Sequence, residues 1–269
     1  TTYEKLGSHR FFVCIQGSEA THIISCYLTK GKRTRDSEEK LVSECLEALI
    51  GIACGVSSEL PKLSQNIEYE VVKSKKEWMQ LIDSEIEFIK CQEEISRLIF
   101  PGTFNPIHEG HLQIKEIAEK MTKQKLFFEI SVSNVDKAPL SYYEIQKTIE
   151  QFSKEHRWVL TNAPTFQEKI KLFPKSTFVV GTDTLMRIFD QKYYQDQLSM
   201  NKALECFDEY DARFIVFGRE IEKTFRSLED LKIPTSMLHR FEGVSENEFR
   251  MDIRSRDIKR SNEESRRPA

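Results

Sequence analysis

Nowhere does the chain hold an apolar run of about 18 residues, the least that a membrane-spanning helix needs, so no transmembrane span is expected. Its first ten residues, TTYEKLGSHR, lack the apolar stretch of a secretory signal. Excess charge of either sign is also small. Forty Lys and Arg against 43 Asp and Glu leave −3, too little positive field to point to a nucleic-acid partner. The six cysteines (Cys14, Cys26, Cys45, Cys54, Cys91 and Cys206) include no C-x-x-C pair. That argues against a zinc site or a disulfide framework and for buried free thiols in a reducing compartment. Internal repeats are missing, and only the tail SNEESRRPA has a disordered composition. The expectation is a cytoplasmic protein with no membrane or nucleic-acid partner. At 269 residues it can hold one large core or two smaller ones.

What the chain does contain changes character along its length. Phe11–Ile15 and His22–Leu28 read as strands joined by a turn at Gln16–Glu19. A charged loop, GKRTRDSEEK, leads to a helix over Glu39–Cys54 with Leu41, Cys45, Ala48, Leu49 and Ile52 inward and Gly55 as its C-cap. Residues 1–58 thus form a small α/β segment. Residues 59–95 are a connector with a strand at Ile67–Val72 and an acidic amphipathic helix over about Lys75–Gln92, its apolar side Trp78, Leu81, Ile82, Ile86 and Ile89.

From residue 96 to about 260 strands and helices alternate. Strands are expected at Arg97–Phe100, Leu126–Val132, Trp158–Thr161, Thr177–Val180 and Arg213–Phe217. Helices are expected at Glu109–Lys123, Ser141–Phe152, Thr165–Phe173 and, as one long stretch, Thr184–Phe207. Short elements follow at Leu228–Ile233 and Met237–Phe241, then a polar helix start near Ser255 and the tail 261–269. This alternation implies an α/β fold: a Rossmann-like, doubly wound parallel sheet with covered faces. Ligands in such sheets sit beyond the carboxyl ends of the strands, where the winding reverses. The turns at 101–108, 133–139, 181–183 and after 217 all follow strands and can line one crevice.

The first of these turns carries the most chemistry. In RLIFPGTFNPIHEGHLQI a strand ends at Pro101-Gly102, turns through Thr103, Phe104, Asn105 and Pro106, and enters a helix at His108 and His111. A helix start offers unpaired N–H groups and the positive dipole end to an anion. Thr103 and Asn105 add polar groups, Gly110 removes a side chain between the histidines, and two imidazoles can reach a phosphate. The bland alternative is that the histidines merely cap the helix. Zinc is a poor fit, because the helical H-E-x-x-H pattern needs four-residue spacing and a further ligand, whereas HEGH has three.

GTFNPIHEGH resembles the T/H-x-G-H signature of the nucleotidylyltransferase superfamily, which includes nicotinamide mononucleotide adenylyltransferases, pantetheine-phosphate adenylyltransferases and cytidylyltransferases. NVDKAPLS, TNAPTFQEKIKLFP, FVVGTDTLMRI and RSRDIKR extend the likeness to a cytidylyltransferase-like branch, close in style to the mononucleotide adenylyltransferases. GKRTRDSEEKLVSECLEALIGIACGV is similar to the end of a CinA-type domain, so residues 1–58 are expected to be a partial CinA-like segment. The resemblance implies an enzyme that moves a nucleoside monophosphate from ATP, or alternatively CTP, to a phosphate-bearing acceptor such as nicotinamide or nicotinate mononucleotide. Pyrophosphate leaves, and Mg²⁺ accompanies the triphosphate. His108, His111 and Lys137 take the catalytic roles. Gly102, Thr103, Phe104, Asn105, Gly110, Gly181, Asp183, Ser255, Arg256 and Lys259 are the nucleotide-binding positions. Phe166 and Lys169 are candidates to face substrate, with Phe166 better explained as core. A homo-oligomer is compatible with this reading. Where the family ends in S-S-T-x-I-R, this chain has Ile253-Arg254-Ser255-Arg256-Asp257-Ile258-Lys259. Ser255 and Ile258 match, while Arg254 and Arg256 stand in place of hydroxyl residues. The competing expectation is therefore a nucleotide-binding or regulatory module that has lost turnover.

Overall fold

A computed structural model describes residues 9–56, 60, 67–135, 138–251, 255 and 258. Among these, residues 9–79 with 140–147 form one compact unit, and residues 80–139 with 148–255 form another.

The first unit is a three-stranded antiparallel sheet with one long helix. Strand β1 (Arg10–Gln16) turns at Gly17, whose N–H donates to the Ala20 carbonyl at 3.0 Å, into β2 (Ala20–Tyr27). Helix α1 (Arg35–Ala53) begins four residues earlier than the expected Glu39, because Thr34 accepts from the Ser37 N–H and caps it within the charged loop. Leu41, Cys45 and Leu49 recur every fourth residue and bury against Val13 and Ile24. Gly55 follows the helix at φ +69, the left-handed conformation that closes a helix end at little cost to glycine. Strand β3 (Ile67–Lys73) pairs with β2, so the strand expected in the connector completes this sheet. The Tyr142 N–H donates to Gln16 Oε1 at 2.7 Å, and the Tyr142 ring stacks on Trp78.

Helix α2 (Lys76–Ile82) is short, and the expected helix over Lys75–Gln92 is corrected here: beyond Ser84, at φ +59, the chain forms strand β4 (Phe88–Lys90). Ile82, Ile86 and Ile89 fit helical spacing, but Glu85-Ile86-Glu87 alternates as a strand approach does, and pairing with the sheet decides between the two. The chain continues with β5 (Leu98–Pro101), α3 (Glu109–Thr122), β6 (Leu126–Ser131), α4 (Tyr142–Glu150), β7 (Arg157–Thr161) and α5 (Phe166–Leu172). Then come β8 (Thr177–Gly181), α6 (Thr182–Ile188), α7 (Gln197–Glu209), β9 (Arg213–Phe217), the hairpin β10 (Arg219–Ile221) and β11 (Thr224–Arg226), and β12 (Phe241–Val244). The sheet order is β12-β9-β8-β5-β6-β7-β4, parallel throughout except for β4.

This is a doubly wound Rossmann-like sheet. The chain steps outward from β5 through β6 to β7, returns to the other side of β5 at β8, and steps outward again to β9 and β12. Ile99, Phe127, Val159, Phe178 and Phe214 pack on one face against Ile170, Leu185 and Phe207. Each such burial stabilises by about 1.5–3 kcal/mol, so this layer holds the strand ends that carry the site. The long helix expected over Thr184–Phe207 is two helices. Asp190 caps a 3-10 turn at Gln191–Tyr193, and Asp196 caps α7 by accepting from the Ser199 N–H at 2.7 Å. Strand β12 and the β10–β11 hairpin had no counterpart among the expected elements. All six cysteines are free, and Cys26, Cys45 and Cys206 are buried as expected, while Cys14, Cys54 and Cys91 are exposed, which corrects the expectation for those three.

Candidate functional site at the reversal of the winding

The winding reverses between β5 and β8, and their pairing stops early. The ladder ends at Ile99 and Phe178, short of Pro101 and Gly181, so both carboxyl ends are released from one another. The turn after β5 is built from buried aromatic packing. Phe104 adopts φ +42, a left-handed conformation that costs a bulky residue on the order of 1 kcal/mol. Its ring, 1% exposed, packs edge-on against Phe100, Phe128 and His111, and this burial offsets the cost. Gly102 makes the fold-back possible, since a Cβ there would stand 2.6 Å from the Phe104 ring. Gly102→Ala is therefore expected to cost about 1–3 kcal/mol by overpacking, measured as a lowered urea midpoint. Gln151 pins the turn from outside: its Nε2 donates to the Phe104 carbonyl at 3.1 Å, and its Oε1 accepts from the Ile107 N–H at 2.9 Å.

His108 and His111 are stacked, with ring centroids 3.7 Å apart and planes 22° from parallel. His108 is the N-cap of α3, and its backbone N–H donates to His111 Nδ1 at 3.3 Å. That bond assigns the His111 proton to Nε2, leaving Nε2–H as a donor. His108 Nδ1 is buried without a hydrogen-bond partner. Burial, then His108 and then Arg219 push the His111 pKa down to about 3, while burial and then Arg219 lower that of His108. Both rings are neutral donors at pH 7, so capping and ligand contact are compatible roles. The space beside Gly110 is filled by the His108 ring and Met251, so in this conformation the glycine serves packing and leaves no opening for ligand approach.

The lowered pKa has a stability consequence. A histidine that is neutral when folded but protonates freely when unfolded stabilises the fold above its unfolded pKa of about 6.5. That stabilisation declines as pH falls from about 6.5 towards the folded value near 3. The urea midpoint is expected to fall between pH 7 and pH 4, and to fall less steeply in His111→Gln. Equal slopes in the two proteins would refute this assignment.

Across the reversal point, Gly181 caps α6 and Asp183 lies in its first turn. Asp183 Oδ2 is 3.3 Å from Arg219 Nη1, and its Oδ1 is buried without a partner. Arg219, just beyond the end of β9, was not singled out in the sequence, although the turn after 217 was. Its signal is place alone: a cation two residues past the end of β9, in the turn after 217.

The remaining expected site residues divide clearly. Thr103 is exposed and Asn105 is partly exposed on the turn, while Phe104 turns its side chain into the core and leaves only its backbone for a ligand. Ser255 donates from Oγ to the Pro106 carbonyl at 3.0 Å, which ties the C-terminal segment to the histidine turn. Lys137, Arg256 and Lys259, with Arg254, lie outside the described residues. Phe166 packs against Phe178 and Phe214. Lys169 is corrected from a substrate-facing candidate: it is buried, with Nζ 2.8 Å from Glu129 Oε1 and 2.7 Å from the Ala163 carbonyl. Five buried side-chain polar atoms lack a partner among the described residues. Four of them (His108 Nδ1, Glu129 Oε2, Ser131 Oγ and Asp183 Oδ1) belong to the carboxyl-terminal half of β6 or to the helix starts that follow β5 and β8. Buried polar atoms are ordinarily paired, so this concentration marks the strand ends as the place where a polar ligand or water completes the structure.

A family model described as cytidylyltransferase-like matches residues 99–261, more than half of the chain. A search of curated proteins found no significant match.

Proposed function

The chain belongs to the cytidylyltransferase-like family of the nucleotidyltransferase superfamily, and from that premise we propose that it is an enzyme transferring AMP from ATP to the phosphate of a mononucleotide acceptor. Nicotinamide or nicotinate mononucleotide is the preferred acceptor, with CTP chemistry as the second choice of donor. An acceptor phosphate oxygen forms a bond to the α-phosphorus while the bond from that phosphorus to the bridging β-oxygen breaks. The electron pair leaves with pyrophosphate, and no protein nucleophile takes part. Such a transfer needs positioning and charge stabilisation more than proton transfer. The observation that carries this reading is the stacked neutral imidazole pair opening α3 at the reversal of the sheet, with His111 Nε2–H free to donate.

His108, His111 and the N–H groups at the start of α3 would bracket the α- and β-phosphates, and Lys137 would neutralise charge from the loop after β6. Arg256 and Lys259, close in sequence to Ser255, are proposed as further phosphate ligands, and Ser255 itself reaches the histidine turn. Mg²⁺ would be held chiefly by phosphate oxygens and water, supplying charge neutralisation on the leaving group. Asp183, with one carboxylate oxygen unpartnered, is a donor of the kind that ion accepts. No group of three His, Cys, Asp or Glu side chains among the described residues is placed to hold a metal by itself. No helix among the described residues is long and apolar enough to cross a membrane, and a cytoplasmic setting is part of the proposal, as is a partial CinA-like origin for residues 1–58.

The replacement of hydroxyl residues by Arg254 and Arg256 favours one second reading, a nucleotide-binding module without turnover. Isothermal titration with ATP and CTP separates donors and tests the site itself. Saturable binding that weakens in His108→Ala is expected. Absence of binding by either triphosphate would remove both readings together.

A further inference from the structure

We propose that Arg219 is the charged phosphate ligand of this crevice, binding nonbridging oxygens of the nucleoside triphosphate and then of the departing pyrophosphate, and that Asp183 positions it. The proposal rests on the nucleotide-binding reading of the same site and gives it a residue that the motifs did not supply.

Four features of the geometry fix the guanidinium in place. Gly218 ends the parallel strand run, and a Cβ there would stand 2.3 Å from the Phe225 ring, so the β10–β11 hairpin folds closely over it. The base of the hairpin is tied to α6, where Thr182 Oγ1 donates to the Arg226 carbonyl at 3.3 Å. The stem of Arg219 then runs across Gly181, with its Cδ 2.9 Å from the position of an absent Cβ. Gly181 is thus a cradle for this side chain, and Asp183 anchors its tip through Nη1. The pair is half-exposed, so Asp183 holds the guanidinium without sealing it from a ligand.

Charge assigns the role. Both imidazoles stand within the field of Arg219 and are uncharged at neutral pH, so they offer hydrogen bonds and no net charge. A bound triphosphate needs positive charge near its oxygens, and among the described residues of this turn cluster Arg219 is the cation whose field reaches both histidines. A planar guanidinium can bind two phosphate oxygens at once while another of its nitrogens keeps the Asp183 contact. During transfer, negative charge grows on the bridging oxygen and spreads into the β-phosphate, and a pre-placed guanidinium stabilises that charge without reorganising. Asp183 is then a positioning residue for the guanidinium, through its Oδ2.

The test uses the full chain as wild type, Arg219→Ala, Arg219→Lys and Asp183→Asn, each checked for fold by circular dichroism. Inorganic pyrophosphate with Mg²⁺ is titrated calorimetrically, and pyrophosphate release is followed with whichever donor and acceptor the wild type uses. Arg219→Ala is expected to weaken pyrophosphate at least about tenfold and to lower kcat by roughly 10²–10³. Arg219→Lys recovers part of the affinity, because charge remains but the two-pronged geometry is lost. Asp183→Asn raises the KM for the triphosphate more than it lowers kcat, a split that a purely structural role would not give. Wild-type pyrophosphate affinity in a folded Arg219→Ala, or no pyrophosphate binding by the wild type, overturns the proposal. If the wild type binds pyrophosphate through Arg219 yet releases none with any acceptor, the transfer reading fails and Arg219 stands as a phosphate ligand.

Discussion

Replacing His111 by alanine is expected to lower turnover by about 10²–10³ while leaving the fold in place. The magnitude is that of removing one pre-placed hydrogen-bond donor from a developing negative charge. His111 fits that role because its Nδ1 is committed to the His108 N–H, which leaves Nε2–H as the outward donor. Its neutrality also matters, since a proton absent from Nδ1 keeps that hydrogen bond, and hence the ring orientation, across the physiological range. The imidazole contributes packing against Phe100 and Phe104, so some stability will be lost with it. Rate and fold are therefore measured separately, by single-turnover pyrophosphate release and by urea unfolding of the same preparation. Unchanged turnover would reject the assigned role outright.

The largest stability effect is expected at a residue that is not part of the turn. Lys169→Met should destabilise the fold by about 3–5 kcal/mol, because it leaves the buried Glu129 carboxylate without its cation. Glu129 Oε1 would keep the Thr161 hydroxyl, and Oε2 already lacks a partner. The double variant Glu129→Met with Lys169→Met should recover most of the loss, since replacing both members of a buried pair by apolar groups is often neutral or better. A double-mutant cycle by urea unfolding gives the coupling directly. Additive losses would show that the two side chains do not depend on one another. Glu129 also carries the backbone carbonyl that accepts from the Gly102 N–H at 2.9 Å, so the pair supports the entry to the histidine turn.

The parts of this protein legible in the sequence are those written in local chemistry. The run Arg97–Phe100, the punctuation of Gly102 and Pro106 and the paired histidines announced a strand, a turn and a helix start, and the sheet places that turn at the reversal of its winding. Alternation of strands and helices gave the parallel architecture for the same reason: a βαβ connection must cover the sheet. What stayed illegible depends on tertiary pairing. Phe88–Lys90 becomes a strand because β7 offers an edge, and Phe241–Val244, with a glycine and only one β-branched residue, because β9 does. The break between α6 and α7 was written locally in Asp190 and Asp196, two capping carboxylates inside an apolar period that hid them. In the site, Lys169 read as a substrate residue until the buried Glu129 was placed beside it, since the two are 40 positions apart. Arg219 had no motif around it, and its proximity to Asp183 arises only when β9 lies next to β8.

The central claim is nucleotidyl transfer at the carboxyl ends of β5 and β8, and pyrophosphate release tests it most directly. The full chain is incubated with Mg²⁺ and each pairing of ATP or CTP with a panel of phosphate-bearing acceptors, beside His111→Ala as the matched control. The expected result is pyrophosphate in equal amount to a new nucleotidyl product for ATP with a mononucleotide acceptor, reduced by about 10²–10³ in His111→Ala. Tight binding of ATP or CTP with no pyrophosphate from any acceptor would contradict it and leave a nucleotide-binding module in its place.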